Sequence, residues 1–413
     1  MKVLYITGSC LTKNTSANMS HNSYLQGLIE NGVEVDVVTA KDGWGSEDHK
    51  LPKFNGADYF EFESVSWIDS LRLFARRFFP LKEASNAIAK SNQGVEAKEL
   101  EAKETEKKIS FRDSLKSLFY KLFKPDPIYP LHVTWLKNAS RFRSDTLYDM
   151  VISNSFPEAS HKLVLILKKK RRIRFKRWIQ IWEDPWYSDL LSGQSEAFFQ
   201  EEQRLLQEAE EIYYVSPLTL YYQKKFFPDC ADKMKSIPLP YLKFGEGKFA
   251  QTSDISFGYF GDYYSYTRNL KPFYKALCTL KSIGYIYGDS DLNFQSSDRI
   301  IVSGRVTLDV LEKVQEQTSV LVHLSNLKGG QIPGKIYHYS ATEKPILFIL
   351  DGTKDEIEML KSYFSQFHRY CFCENNQESI QEAMAYIIDN YQQLKGFVVE
   401  EFSPKAIVSH LIN

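Results

Sequence analysis

The feature that narrows the fold most is a strand–helix–strand rhythm that starts at the first residues. Residues 2–6 (KVLYI) form a short apolar run, 7–18 a polar loop, 19–30 a helical pattern and 31–32 a turn. Residues 33–39 (VEVDVVT) then supply a second strand. Two strands joined through a helix run parallel and need cover on both faces, so this unit predicts a parallel sheet buried under helices. The rhythm returns at 150–153 (MVIS), 178–182 (WIQIW) and 212–215 (IYYV), with helical stretches such as 198–209 between them. Residues 241–253 interrupt it with a polar, glycine-rich stretch (KFGEGKFAQTS). A second series follows, with strands at 255–260, 285–287, 300–302, 320–324, 345–350 and 370–372. Helical patterns at 270–280, 308–317, 335–341, 354–367 and 378–391 fall between them. The expected class is α/β, with two doubly wound domains, 1–242 and 254–395, facing an interdomain cleft.

Composition limits the function. The chain has 413 residues, with 52 Lys plus Arg against 52 Asp plus Glu. A zero net charge disfavours a protein that binds nucleic acid by charge, so no nucleic-acid partner is expected. With 43% hydrophobic and 25% charged residues, the chain has enough apolar material for packed cores. No apolar run approaches the roughly 18 residues that span a bilayer; 345–350 (PILFIL) is about the longest. The opening MKVLYITGSC turns polar after one strand's length and has no signal-peptide core, so a cytoplasmic location is expected. Cys10, Cys230, Cys278, Cys371 and Cys373 are too scattered for a zinc set and read as reduced thiols filling apolar space.

Two basic regions break the rhythm. In the insertion at about 67–123, WIDSLRLFARRFF and FRDSLKSLFYKLF place apolar residues at helical spacing on either side of a charged tract, 84–108. Such helices either pack on the N-terminal domain or lie on an anionic membrane surface. The run 168–177 (KKKRRIRFKR) is either a solvated helix end or a patch for anionic lipid.

Several signatures are absent. The first βα loop (TGSCLTKNTSAN) lacks G-x-G-x-x-G, and there is no Walker lysine, H-E-x-x-H or G-x-S-x-G. The most informative stretch is 325–350, SNLKGGQIPGKIYHYSATEKPILFIL. It leads from a strand end through Gly329 and Gly330 into a helix whose first turn suits Pro333, with Lys335 just inside. Free amides at that helix start plus a lysine predict a site for a diphosphate. The second stretch, 255–277, runs from a strand through Gly261 to Arg268 and Lys271 before a helix. Gly261 permits close backbone approach, and the Arg268 fork suits phosphate oxygens.

These residues carry a family resemblance. PGKIYHYSATEKPIL resembles the donor-site motif of GT-B glycosyltransferases similar to family four, and 255–277 resembles the opening of their donor domain. Residues 300–306 (IIVSGRV) are similar to the segment facing the nucleotide base. DMVISNS at 149–155, WIQIWEDPW at 178–186 and the stretch 201–240 resemble elements of the family's first domain. The resemblance implies GT-B architecture: two Rossmann-like domains, acceptor on the first and nucleotide sugar on the second. Residues 396–413 would form a closing helix that crosses back. It assigns Gly304, Arg305 and His338 to the nucleotide, and Gly8 and Ser9 to the acceptor-side loop. One departure stands out: His338 and Gly330 occupy the places of the family's glutamate pair.

The implied reaction is transfer of a hexosyl or N-acetylhexosaminyl group from a donor such as a UDP- or GDP-sugar to a saccharide or lipid-linked acceptor. The resemblance sets it in bacterial surface-polysaccharide synthesis, on or near the inner face of the membrane. Arg268, Lys335 and helix-end amides would meet the leaving charge without a metal, and no separate cofactor is expected. The base or acceptor-orienting group is expected from the N-terminal domain: Asp184 first, then Glu183, with His21 a weaker choice. Trp182 reads as core, with Trp186 left between core and sugar contact. The rival readings are a sugar-nucleotide 2-epimerase and a non-catalytic GT-B-like binding subunit.

Overall fold

The computed structural model describes residues 1–413 except 44–45, 52, 65–125, 127, 189–194, 244, 253 and 329. The insertion at 67–123 and Gly329 therefore lie outside the described residues. The strands are β1 Lys2–Ile6, β2 Glu34–Ala40, β3 Ala57–Phe62, β4 Leu147–Asn154, β5 Arg174–Trp182, β6 Glu211–Tyr214 and β7 Met234–Ser236. A second set comprises β8 Ser256–Phe260, β9 Ile283–Tyr287, β10 Ile300–Ser303, β11 Val320–Leu324, β12 Ile346–Leu350 and β13 Tyr370–Glu374. The helices of the first half are α1 Ser16–Glu30, α2 Val133–Ala139, α3 Ala159–Lys169, α4 Glu196–Glu208 and α5 Pro217–Phe226. Those of the second are α6 Lys271–Leu280, α7 Leu308–Gln317, α8 Lys335–Ser340, α9 Lys354–Ser365, α10 Gln377–Asn390 and α11 Pro404–Ile412.

The strands form two sheets, of order β3-β2-β1-β4-β5-β6-β7 and β10-β9-β8-β11-β12-β13. Every pairing between these strands is parallel. In each sheet the order reverses once, between β1 and β4 in the first and between β8 and β11 in the second. Loops leave the sheet in opposite directions at such a point and open a crevice at the strands' carboxyl ends. That places the loop after β8, with Gly261, beside the loop after β11, which leads to Lys335.

Side-chain caps fix the helices that matter for these loops. Thr15 accepts from Asn18 N–H to start α1, and Ser216 accepts from the Leu218 and Thr219 amides to start α5, with Pro217 in its first turn. One apolar cluster continues from the first sheet into the second, through Tyr213, Val215, Leu218, Ile332, Ile336 and Tyr337. Helix α11 lies on α1, where a Cβ at Gly27 would stand 2.2 Å from the Pro404 carbonyl oxygen. Asn31 Nδ2 donates to Lys405 O (2.9 Å) and Arg177 Nη2 to Leu411 O (2.9 Å), which hold the last helix on the first domain.

Several expectations change here. Strand β5 begins at Arg174, so the basic run 168–177 is partly strand, and three of its side chains are paired with carboxylates. Lys168 meets Glu208 (3.1 Å), Lys176 meets Asp149 (2.6 Å) and Arg177 meets Glu211 (3.0 Å). Cys10, Cys230 and Cys373 are buried as expected, but Cys278 is exposed on α6. Trp182 is core, and so is Trp186, which stacks on Phe198 at 5.1 Å.

Candidate functional site

The second domain's crevice is built on close approach. Gly261 directly follows β8, its amide donating to Tyr287 O at 2.7 Å, and the Lys335 side chain crosses it. A Cβ on Gly261 would be 2.9 Å from Lys335 Cε and 3.3 Å from Nζ, so only glycine leaves the lysine its path. Arg268 stands close by. Burial, then the charges of Arg268 and, against a pull from Asp262, of Arg305, bring the Lys335 ammonium down to about 8. The Arg268 guanidinium interacts with the Tyr259 hydroxyl, while its buried Nε has no hydrogen-bond partner among the described residues. Among the described residues, neither Lys335 nor Arg268 has a carboxylate within ion-pair distance. Beneath them His323 on β11 is buried, and burial, with both cations, holds its imidazole neutral, down to about 3. Among the described residues the crevice floor thus holds two neighbouring cations with no carboxylate paired to either, because Asp262, the acid that pulls on Lys335, is bound to Arg305. That arrangement is costly unless an anion completes it.

The helix end contributes less than the sequence suggests. Helix α8 has 6 residues, and two of the amides in its first turn are already engaged: Ile336 N–H donates to Pro333 O (3.3 Å) and Tyr337 N–H to Gly334 O (3.1 Å). Positive charge at this site therefore comes chiefly from the Lys335 and Arg268 side chains, with the amides of Ile336 and Tyr337 already committed. Gly330 also differs from expectation. Its φ is +77°, and its carbonyl accepts from Ser216 Oγ (2.7 Å) and Thr219 Oγ1 (2.9 Å), so it seals the donor-side loop to the start of α5. His338 Nδ1 accepts from the Leu242 amide at 2.9 Å, which ties α8 to the chain linking the two sheets. Burial first, then the Lys335 charge, brings His338 down to about 4.

Gly304 and Arg305 lie exposed after β10, and Arg305 is engaged. Its Nε donates to Asp262 Oδ1 at 3.0 Å, its Nη2 bonds Asp262 Oδ2, and Asp289 Oδ2 lies 3.4 Å from Nε. Burial pushes Asp262 up, but the Arg305 fork, the Asp289 amide and the Lys335 charge outweigh it and hold the carboxyl below its usual range.

The first sheet's switch point is equally tight. Gly8 N–H donates to Ser160 Oγ (3.0 Å), and a Cβ on Gly8 would meet Pro157 at 2.7 Å and Trp135 at 3.1 Å. Ser9 Oγ donates to Phe156 O (3.0 Å), joining the loops after β1 and β4. His21 is fully buried and held neutral, mainly by burial, at about 4. Its Nε2 reaches Phe156 O and Thr7 Oγ1, each at 3.0 Å, and its Nδ1 reaches the Tyr5 hydroxyl at 3.0 Å. A carbonyl can only accept, so Nε2 carries the proton and Nδ1 accepts from Tyr5. His21 is thereby a structural link, with no ring atom facing solvent.

Asp184 is exposed after β5, with Glu183 beside it. Glu183 turns inward: its carboxyl bonds Asn154 and Ser20, while Oε1 is buried with no hydrogen-bond partner among the described residues. Burial, then the Asp184 charge, pushes it well above the usual carboxylate range. Asn154 Nδ2 also donates to the Tyr5 hydroxyl (3.0 Å), so Glu183, Asn154, Tyr5 and His21 form one buried chain of polar groups. Lys50, after β2, meets Glu312 and Asp309 on α7.

Asp262, His323, Asn154, Ser216 and Thr219 were not singled out from sequence. Asp262 carried a signal, standing directly after Gly261. His323, Asn154 and Thr219 lie within strands or a helix, where nothing distinguishes them from packing residues, and Ser216 before Pro217 reads only as a helix cap.

No protein-family profile and no curated protein matches the sequence. Solved structures do. Sucrose-phosphate synthase from Thermosynechococcus elongatus is similar with a TM-score of 0.54 at 11% identity, over 99% of this chain and 94% of that one. A glycosyltransferase from Rickettsia africae ESF-5 gives 0.51 at 10%, over 100% and 96%. At these identities the likeness shows the fold. The chain has GT-B architecture, with two Rossmann-like domains.

Proposed function

We propose that the protein is a glycosyltransferase that moves a sugar from a nucleotide-sugar donor to a saccharide or lipid-linked acceptor. One observation carries the reading: Arg268 and Lys335 converge at the switch point of the second sheet with no carboxylate, among the described residues, at ion-pair distance from either. A diphosphate supplies the missing charge and suits a lysine beside an arginine fork.

In the proposed reaction an acceptor oxygen bonds to the anomeric carbon while the bond from that carbon to the diphosphate oxygen breaks. The electron pair leaves with the nucleoside diphosphate, where Lys335 and Arg268 stabilise it. The acceptor proton passes to Asp184, exposed at the end of β5 on the first domain. Stabilising charge that grows only in the transition state is where such groups act most strongly. Because both cations belong to the chain, the step as proposed requires no metal and no further cofactor. The transferred group is a hexosyl or N-acetylhexosaminyl unit. The proposed setting is surface-polysaccharide assembly at the inner face of a bacterial membrane, and exposed Lys169 and Arg171 beside α3 suit an anionic surface.

The test is to incubate the protein with UDP-, GDP-, ADP- and TDP-sugars, with EDTA, with and without saccharide and lipid-phosphate acceptors. Free nucleoside diphosphate released only when an acceptor is present supports transfer. Interconversion of the donor sugar without release, or silence throughout, rejects it.

A further inference from the structure

We propose that Arg305 is a positioning residue that masks the Asp262 carboxylate beside the anion site, and is not itself a ligand of the nucleotide. The inference rests on the diphosphate reading above and specifies how that site keeps its positive character.

Asp262 follows directly on Gly261, the glycine that Lys335 crosses. A free carboxylate there would repel an incoming diphosphate and compete for the lysine, and its pull on Lys335 is already felt. Arg305 meets both oxygens of Asp262, Nε on Oδ1 at 3.0 Å and Nη2 on Oδ2. A guanidinium spread over both carboxylate oxygens is the strongest geometry this pair of groups offers. The clamp is fixed at its other end too. Asp289 Oδ1 accepts from the Arg305 amide (3.3 Å), Asp289 Oδ2 lies 3.4 Å from Nε, and the Asp289 amide donates to Asp262 Oδ1 (3.0 Å). The ends of β8, β9 and β10 are thereby tied together, and the arginine is spoken for by two carboxylates. Lys335 and Arg268, which have none among the described residues, remain for the ligand.

Masking and direct contact make opposite predictions for a double variant. The full-length protein is titrated calorimetrically with UDP, GDP, ADP and TDP, and the tightest binder is carried forward with inorganic pyrophosphate as a base-free probe. Arg305→Gln is expected to weaken both about tenfold, on the scale of an uncompensated like charge at a binding site. Adding Asp262→Asn should restore affinity to within about threefold of wild type, because removing both members of a pair leaves no orphan charge. Asp262→Asn alone should bind at least as tightly as wild type, and this variant keeps the test open if changes at Arg305 unfold the chain. A double variant as weak as Arg305→Gln, an Arg305→Gln protein that binds normally, or a weakened Asp262→Asn overturns the inference. If wild type binds none of the five probes, the diphosphate reading falls with it.

Discussion

Lys335 lies across Gly261, its Cε 2.9 Å from where a Cβ on that glycine would stand. The glycine's φ is outside the left-handed region, so a methyl there is not strained by the backbone; it simply occupies the path of the lysine's stem. The far end of a flexible side chain can move aside cheaply. Gly261→Ala should therefore keep its unfolding midpoint within about 2 °C of wild type, a change of well under 1 kcal/mol. Its affinity for nucleoside diphosphate should fall about fivefold or more, since the displaced ammonium loses its place over the crevice. Thermal unfolding and calorimetry on one preparation check both halves. A stable variant that binds as wild type would separate Lys335 from the ligand.

The same lysine predicts a pH dependence. Burial and the nearby cations bring Lys335 to about 8 in the folded protein, below its ordinary value. A diphosphate would favour the ammonium, so binding should take up protons as pH rises through 8, and affinity should fall across the same range. For the unliganded fold the sign is also fixed. Between about 8 and the ordinary lysine range near 10.5, the unfolded chain holds more protons than the folded one, so this group's contribution makes stability rise with pH there. Calorimetric titrations at pH 8 in two buffers of different ionisation enthalpy measure the uptake directly, and Lys335→Ala should abolish it.

How much of this was legible in the sequence divides along physical lines. Alternating apolar runs located β1, β11 and most of the remaining strands to within a few residues, because a strand buried on both faces must be apolar throughout. Strand β3, at the sheet edge and reading ADYFEF, escaped because an edge strand need not be. Gly261, Arg268 and Lys335 were readable from their place at strand ends. What the sequence hid was pairing: nothing in IIVSGRV says that Arg305 is clamped on Asp262, and nothing in the Gly-Gly loop says that the Gly330 carbonyl faces α5. The short reach of α8 was hidden too, since the Ile336 and Tyr337 amides close onto Pro333 and Gly334 only in three dimensions.

The seal between the domains can be measured. Gly330 O accepts from Ser216 and Thr219, and Ser216 Oγ also caps α5 by accepting from the Leu218 and Thr219 amides. Thr219→Val keeps the shape and removes one of two donors, at an expected cost of about 1 kcal/mol. Ser216→Ala removes a donor and the cap together, so about 2 kcal/mol is expected. The ordering matters more than the sizes. Equal shifts in thermal midpoint for the two variants would show that the cap contributes nothing beyond the seal.

Glu183 offers the sharpest separation of stability from function. Its carboxyl is buried between Asn154 and Ser20, and burial and Asp184 hold it well above the usual carboxylate range. A carboxyl whose folded pKa is raised favours folding while both states are protonated, and that advantage is lost as pH climbs through the folded value. Glu183→Gln keeps a neutral group of the same shape and does not titrate. Its midpoint should therefore match wild type near pH 4 and exceed it at pH 8, by a margin that widens with pH. Transfer activity distinguishes the roles of the two neighbours. If Asp184 takes the acceptor proton, Asp184→Asn should lower kcat by about 100-fold or more while Glu183→Gln costs far less. The reverse ordering would move the base inward to Glu183 and make the buried chain through Asn154, Tyr5 and His21 its support.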